Sequence, residues 1–153
     1  MGLNVDKHAD ELKKHLFMLN VDVGGSIIGN NSASVMASDK VLNYLDIMGK
    51  ERGIGLSVRS SIYSGDCIPL GHKGVPSVTF ARSGGVPTRA DTPDDIDAHH
   101  LAMVGDFVLN LASRIANAAK FPFPRDIPEN IKKRTREYIE NMGKQLEDEP
   151  GKK

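Results

Sequence analysis

Residues 19–25 read LNVDVGG, and this stretch decides the fold. The largely apolar run over 16–23 predicts a buried strand, which delivers one carboxylate, Asp22, near its end. Gly24 and Gly25 follow at once and predict a sharp turn. In open α/β sheets, ligands bind beyond the carboxyl ends of the strands. The sequence therefore points to Asp22 as the first candidate for a functional site.

Composition excludes several classes of function. The 153 residues correspond to one domain of ordinary size. Lys plus Arg and Asp plus Glu number 20 each, so the formal net charge is zero and no basic field favours nucleic acid. We find no apolar run long enough to span a membrane and no secretory leader. A single cysteine, Cys67, excludes an internal disulfide. We expect a cytoplasmic protein without nucleic-acid or membrane partners.

Outward from the opening strand, hydrophobic periodicity alternates between strand-like and helix-like repeats. The predicted elements, in order, are a short charged helix over 5–14, the strand over 16–23, a second strand or hairpin within 26–37, a helix from Ser38 to Gly53, a strand at 56–60, a turn-rich loop at 64–74, a strand at 76–82, an irregular stretch at 83–95, an amphipathic helix from 96 to about 119 and a last helix from about 128. This alternation predicts an α/β fold with a partial, open, mixed and mostly parallel sheet flanked by helices. We expect one domain over 1–147 and a polar tail over 148–153.

Four segments carry a resemblance to a known family. They are LNVDVGG at 19–25, YSGDC at 63–67, GVPSVTFAR at 74–82 and TRADTPDDI at 88–96. In this order and spacing they resemble the C-terminal half of the two-zinc, co-catalytic aminopeptidases, a metallopeptidase family related to glutamate carboxypeptidase and the transferrin receptor ectodomain. The resemblance covers most of residues 10–118. It implies half of an aminopeptidase-like sandwich, with peptides as the family's substrates and two zinc ions as its cofactors.

The resemblance implies a metal-ligand role for Asp22, whose counterpart in the family binds one of the two zinc ions. The family's ligand for the other zinc is a histidine just before the Thr-Arg-x-Asp-Thr segment, and Pro87 occupies that position here. The other family ligands are a histidine, a bridging aspartate and a glutamate that follows the glutamate base. They belong to an N-terminal half without a counterpart in this sequence, so we expect the chain to be truncated.

This ligand count argues against activity in the chain alone. A catalytic zinc takes about three protein ligands, and two-metal sites hold their ions roughly 3.5–4 Å apart. The resemblance leaves Asp22 as the one remaining ligand and assigns no catalytic residue, so we expect no stably bound zinc and no peptide hydrolysis. The alternative for Asp22 is a carboxylate satisfied by backbone amides of the glycine turn.

The resemblance also marks three further polar residues. Tyr63 and Asp66 lie on the loop that borders the substrate pocket in the family, where the phenol could steady an oxyanion; packing within the loop is the alternative. Asp91 corresponds to the residue that braces the missing histidine, so we expect it to accept hydrogen bonds that order its loop. Cys67 lacks a neighbouring histidine signature and is expected to be a small buried side chain rather than a nucleophile.

Three functional hypotheses follow. The first is a peptide-hydrolase-like domain, zinc-dependent by family, that is inactive alone. The second is a non-catalytic interaction domain that forms homo-oligomers, because a half-sheet exposes an edge that another chain could cover. The third is a half-enzyme completed by another chain that supplies the N-terminal half, and the proline at position 87 argues against it.

Overall fold

A computed structural model describes residues 9–83 and 93–148. Its elements are α1 (Ala9–Leu12), β1 (Met18–Asp22), β2 (Asn30–Met36), α2 (Asp39–Glu51), β3 (Leu56–Ser60), α3 (Cys67–His72), β4 (Ser77–Ser83), a 3₁₀ turn (Pro93–Asp95), α4 (Ala98–Ala116) and α5 (Glu129–Asp148). Within these residues no helix has both the length and the apolar character needed to cross a bilayer.

The four strands form a sheet in the order β1-β4-β2-β3. β1 is parallel to β4 and β2 is parallel to β3, whereas β4 and β2 are antiparallel. The predicted mixed and mostly parallel α/β sheet is therefore confirmed. The two parallel pairs run in opposite directions. The carboxyl ends of β1 and β4 therefore lie at one end of the sheet along the strand direction, and those of β2 and β3 lie at the opposite end.

One face of the sheet carries the main hydrophobic core. Inward-facing residues of β2 and β4 pack there against α2 and α4, whose buried residues recur at helical spacing. The buried residues that these four elements contribute are Ala33, Val35, Val41, Leu45, Met48, Val78, Phe80, Val104, Phe107 and Leu111. α2 follows Ser38 as predicted and its end is marked by Gly53, whose φ of 67° suits glycine.

The opposite face is covered by α3 and α5. Met36 of β2 packs there with Cys67 and Ile68 of α3 and with Ile127 and Ile131 at the start of α5. The turn-rich loop predicted over 64–74 is wrong in part, because α3 occupies its middle. This six-residue helix contains a proline and a glycine, so its stability comes from packing against Met36 and α5 rather than from propensity.

Candidate functional site

Asp22 is the last residue of β1 and pairs with Ala81 of β4, at the end of the sheet where both strands have their carboxyl ends. Strand alternation places its half-buried side chain on the face that carries α3 and α5. The next residue, Val23, has a φ of 50°, a left-handed conformation that is uncommon for a β-branched residue. A Cβ built on Gly25 would lie 3.0 Å from Cγ2 of Ile96, so the turn passes close to the start of α4. Backbone strain and close packing thus coincide directly after the carboxylate.

Tyr63 reaches Asp22 from the far side of the sheet. β3 ends at the opposite end of the sheet from Asp22, and the Ser61 amide that follows it donates to the Val35 carbonyl at 3.2 Å. The chain then crosses the sheet toward β1. The Asp22 carboxylate lies close enough to the Tyr63 phenol to act on its charge state. A Cβ on Gly65 would lie 3.6 Å from Asp22 Oδ2 and 3.5 Å from Tyr63 Cδ1. Tyr63 and Gly65 of this loop therefore both lie next to the Asp22 carboxylate.

The environment of Tyr63 favours its neutral form. Burial raises the pKa of the phenol above its usual 10.0, and the nearby Asp22 carboxylate raises this pKa further. A phenol with a raised pKa is a hydrogen-bond donor at neutral pH. The Tyr63 phenol consequently keeps its proton at neutral pH.

We expect Asp22→Asn to lower the pKa of Tyr63 because the substitution removes a negative charge beside the phenol. The pKa should nevertheless stay above 10.0, since burial is the largest cause of its elevation. The measurement is a pH titration of phenolate absorbance, in which Tyr63→Phe identifies the titration among the three tyrosines. Identical titrations of the wild type and the asparagine variant would contradict the contact.

The raised pKa also sets a pH dependence of stability. Above pH 10 the unfolded phenol releases its proton while the folded phenol retains it, so the unfolded state binds fewer protons. The contribution of Tyr63 is therefore fully present below pH 10 and is lost as the pH rises through the folded-state pKa. The Tyr63→Phe variant should lack this alkaline component of unfolding.

The other candidate residues stand apart from this pair. Asp66 is exposed and lies just before α3, and its carboxylate makes no capping hydrogen bond to that helix. Ser64 instead ties the loop to α5 through a hydrogen bond between its hydroxyl and that of Tyr138. Asp91 and Pro87 lie outside the described residues. The substrate-border role of Tyr63 and Asp66 stays a prediction.

Cys67 is a buried thiol at the start of α3. Thr79 of β4 donates a hydrogen bond from Oγ1 to Cys67 Sγ at 3.1 Å. Burial raises the pKa of the thiol, which keeps it protonated at neutral pH. These observations agree with a packing role and argue against the nucleophile alternative.

Arg82 is a structural determinant of the site that the sequence analysis missed. The residue is buried, with an exposed fraction of 8%, and its Nε donates to the Ser26 carbonyl at 2.6 Å. Nη1 donates to Asn31 Oδ1 at 3.1 Å, and the Arg82 amide donates to the Val23 carbonyl at 3.1 Å. Arg82 thereby holds the turn that follows Asp22. A cation directly after the apolar strand 76–81 was the available signal.

The same turn is fixed on its other side by the start of α4. Ile27 donates its amide to the Asp95 carbonyl at 3.0 Å, and Asp97 donates its amide to the Gly25 carbonyl at 2.8 Å. Asp97 also caps α4, since its carboxylate accepts from the His100 amide at 2.7 Å. The segment after Asp22 is thus held between β4 and α4.

The described residues do not by themselves fit a zinc site. Zinc in a structural or catalytic site takes three or four nitrogen, sulfur or carboxylate ligands. Across residues 9–83 and 93–148, no three His, Cys, Asp or Glu side chains stand close enough to share an ion. The neighbour found at Asp22 is the phenol of Tyr63, which is protonated at neutral pH. Asp22 therefore belongs to no group of three such side chains in the described part of the chain.

The fold is similar to that of a zinc aminopeptidase. The crystal structure of BSAP, a zinc aminopeptidase from Bacillus subtilis, matches with a TM-score of 0.59 and 22% sequence identity. The match covers 82% of this chain and 35% of that chain, so the present sequence spans about a third of the length of the enzyme. No protein-family model and no curated protein matches the sequence. The chain thus has an aminopeptidase-like α/β fold.

Proposed function

We propose that this chain corresponds to the C-terminal portion of a zinc-aminopeptidase-like peptide hydrolase and that it does not hydrolyse peptides by itself. Asp22 is the metal ligand that it contributes. The observation that carries the proposal is the position of Asp22 at the carboxyl end of β1 against the Tyr63 hydroxyl, within a fold that matches a zinc aminopeptidase over 82% of the chain.

The proposed inactivity rests on the chemistry around Asp22. Peptide hydrolysis by a metallopeptidase needs a metal held by several ligands and a base that takes the proton of the attacking water. Within the described residues, Asp22 has Tyr63 beside it and no carboxylate or imidazole to complete a ligand set. The phenol holds its proton at neutral pH and so does not act as this base.

The test measures zinc content and hydrolysis on the same sample. The protein is purified in zinc buffer, dialysed, and analysed by elemental mass spectrometry and with an aminoacyl-nitroanilide. We expect zinc well below one ion per chain and no hydrolysis above that of buffer. Nearly two zinc ions per chain, together with turnover that Asp22→Asn abolishes, would overturn the proposal.

Calorimetric titration with zinc tests whether the Asp22 carboxylate binds zinc at all. Asp22→Asn should weaken the low-affinity zinc binding of the wild type. Asp39→Asn, which removes an equal charge at the exposed start of α2, is the matched control and should leave that binding unchanged. Equal binding by the wild type and both variants would show that Asp22 holds no metal.

A further inference from the structure

The segment 61–66 carries Tyr63 and Gly65 to the Asp22 carboxylate. Its six residues belong to no helix or strand, so no ladder of backbone hydrogen bonds fixes their path. At its end the Gly65 carbonyl accepts from the Ile68 amide at 3.1 Å, which ties the segment to α3. Side-chain contacts therefore decide whether the middle of the segment, with Tyr63, stays beside Asp22.

Helix α5 supplies such contacts through Tyr138. The Tyr138 hydroxyl forms a hydrogen bond with the Ser64 hydroxyl. The Tyr138 ring packs against the hydrophobic cluster that contains Met36, and Ile62 of the segment packs against the same cluster. Ile62 and Ser64 flank Tyr63 in the sequence. Both neighbours of Tyr63 are thus attached to the face of the sheet that α5 covers.

α5 is itself firmly packed where it carries Tyr138. Ile131 is fully buried, and Thr135 is buried with its hydroxyl donating to the Ile131 carbonyl at 2.8 Å. Ile131, Thr135 and Tyr138 follow one another at spacings of four and three residues, so they share one face of the helix. The resemblance extends over residues 10–118, and α5 lies beyond them. No family motif therefore assigns a role to Tyr138.

We propose that Tyr138 is a positioning residue of the Asp22 site and that its hydrogen bond to Ser64 holds the segment 61–66 beside the carboxylate. Tyr138 acts through Ser64. When this hydrogen bond is removed, the segment leaves Asp22 more often while the sheet and α5 stay folded. The proposal rests on the proposed function only in treating Asp22 as the centre of the site, and its tests involve no zinc.

The first test uses Cys67 as a probe of segment opening. Cys67 is the first residue of α3, directly after the segment, and it is 1% exposed. Because the sequence has a single cysteine, its labelling by a thiol reagent under native conditions measures how often this region opens. Tyr138→Phe and Ser64→Ala each remove one hydroxyl of the pair. Each should raise the labelling rate about two- to tenfold, the effect of one ordinary hydrogen bond.

Three comparisons separate positioning from a general loss of stability. The double variant Tyr138→Phe/Ser64→Ala should label no faster than the single variants, because both remove the same interaction. Ser64→Thr keeps a hydroxyl and should label like the wild type. Tyr44→Phe, the matched control, removes a phenol hydroxyl from α2, where the Tyr44 ring packs on Phe123, and should also label like the wild type. Urea unfolding of each variant gives the global free energy against which the labelling rate is compared.

The second test is hydrogen exchange at two amides. The Ile68 amide donates to the carbonyl of Gly65, the residue next to Asp22, so its exchange reports release of the segment. The Ile131 amide donates to the Pro128 carbonyl at 2.9 Å and reports undocking of α5. In Tyr138→Phe, exchange of the Ile68 amide should accelerate by about the same factor as Cys67 labelling. Exchange of the Ile131 amide should match the wild type.

Several results would overturn the proposal. Labelling that is unchanged in Tyr138→Phe and Ser64→Ala, or that rises only as far as the global free energy of unfolding falls, excludes a positioning role. Additive effects in the double variant, or equal acceleration at the Ile68 and Ile131 amides, exclude it too. If Tyr138→Phe fails to fold by circular dichroism, the comparison of Ser64→Ala with Ser64→Thr decides. The zinc and hydrolysis measurements are independent, so failure here leaves the proposed function intact.

Discussion

Replacing Phe80 with alanine should lower the free energy of unfolding by about 3–5 kcal/mol. Phe80 is 1% exposed on β4, which lies between β1 and β2 in the sheet. Its ring packs edge-to-face on Phe107 of α4, with centroids 5.7 Å apart. The substitution removes buried apolar surface, leaves a cavity and breaks an aromatic pair that contributes about 0.5–1.5 kcal/mol beyond burial. Urea unfolding followed by circular dichroism measures the change.

A loss of this size is a large share of the 5–15 kcal/mol that stabilises a typical domain. The matched control is Leu109→Ala. Leu109 lies on α4, the helix that carries Phe107, and its side chain is 65% exposed. That control should alter the free energy of unfolding by less than about 0.5 kcal/mol. A loss of less than about 1 kcal/mol for Phe80→Ala would contradict the packing of α4 on β4.

Replacing Arg82 with alanine should cost about 2–3 kcal/mol of stability, because hydrogen bonds from a charged donor to buried acceptors are among the stronger ones. The Ser26 carbonyl and Asn31 Oδ1 would lose their guanidinium donor. The turn after Asp22 would keep only the backbone hydrogen bond from residue 82 to the Val23 carbonyl as its attachment to β4. Urea unfolding measures the energy, and hydrogen exchange locates it.

The exchange experiment distinguishes a local effect from a global one. The Ile27 and Asp97 amides bridge this turn to the start of α4. In Arg82→Ala their exchange should be accelerated relative to the wild type, and by more than the exchange of core amides of β4. Arg59→Ala, which removes an exposed arginine from β3, is the matched control and should change little. Unchanged protection at Ile27 and Asp97 would show that Arg82 does not hold the turn.

The helices that sequence patterns predicted well are those with a long apolar stripe. Val41, Leu45 and Met48 recur at helical spacing in α2 and are buried as a set. The same holds for Val104, Phe107 and Leu111 in α4. Boundaries were less accurate: α4 ends at Ala116 rather than near 119, and α5 continues to Asp148, the first residue of the predicted tail.

Two features of the fold have no local signal in the sequence. α3 depends on contacts of Cys67 and Ile68 with distant residues, so neither periodicity nor propensity reveals it. A second strand or a hairpin was expected within 26–37; a strand, β2, lies there, and it pairs antiparallel with β4 and parallel with β3. Strand direction is set by which partners share the core, and apolar patterns carry no information about it.

For the site, the sequence identified the carboxylate but not its surroundings. Asp22 was recognised from its place after an apolar run, and the loop of Tyr63 from its resemblance to a peptidase motif. Their contact confirms neither a metal nor a substrate role, yet it brings two of the candidates together. Arg82 was passed over because nothing adjacent in sequence marks the Ser26 carbonyl as its acceptor.

The opposite directions of the two parallel strand pairs bear on how the chain folds. Asp22 belongs to the pair β1–β4, whereas Tyr63 follows β3 of the pair β2–β3, so the interaction between them spans about 40 residues of chain. A contact of such long range is slow to form and requires both pairs to be in register. The titration of Tyr63 in refolding chains therefore reports when the two strand pairs have come together.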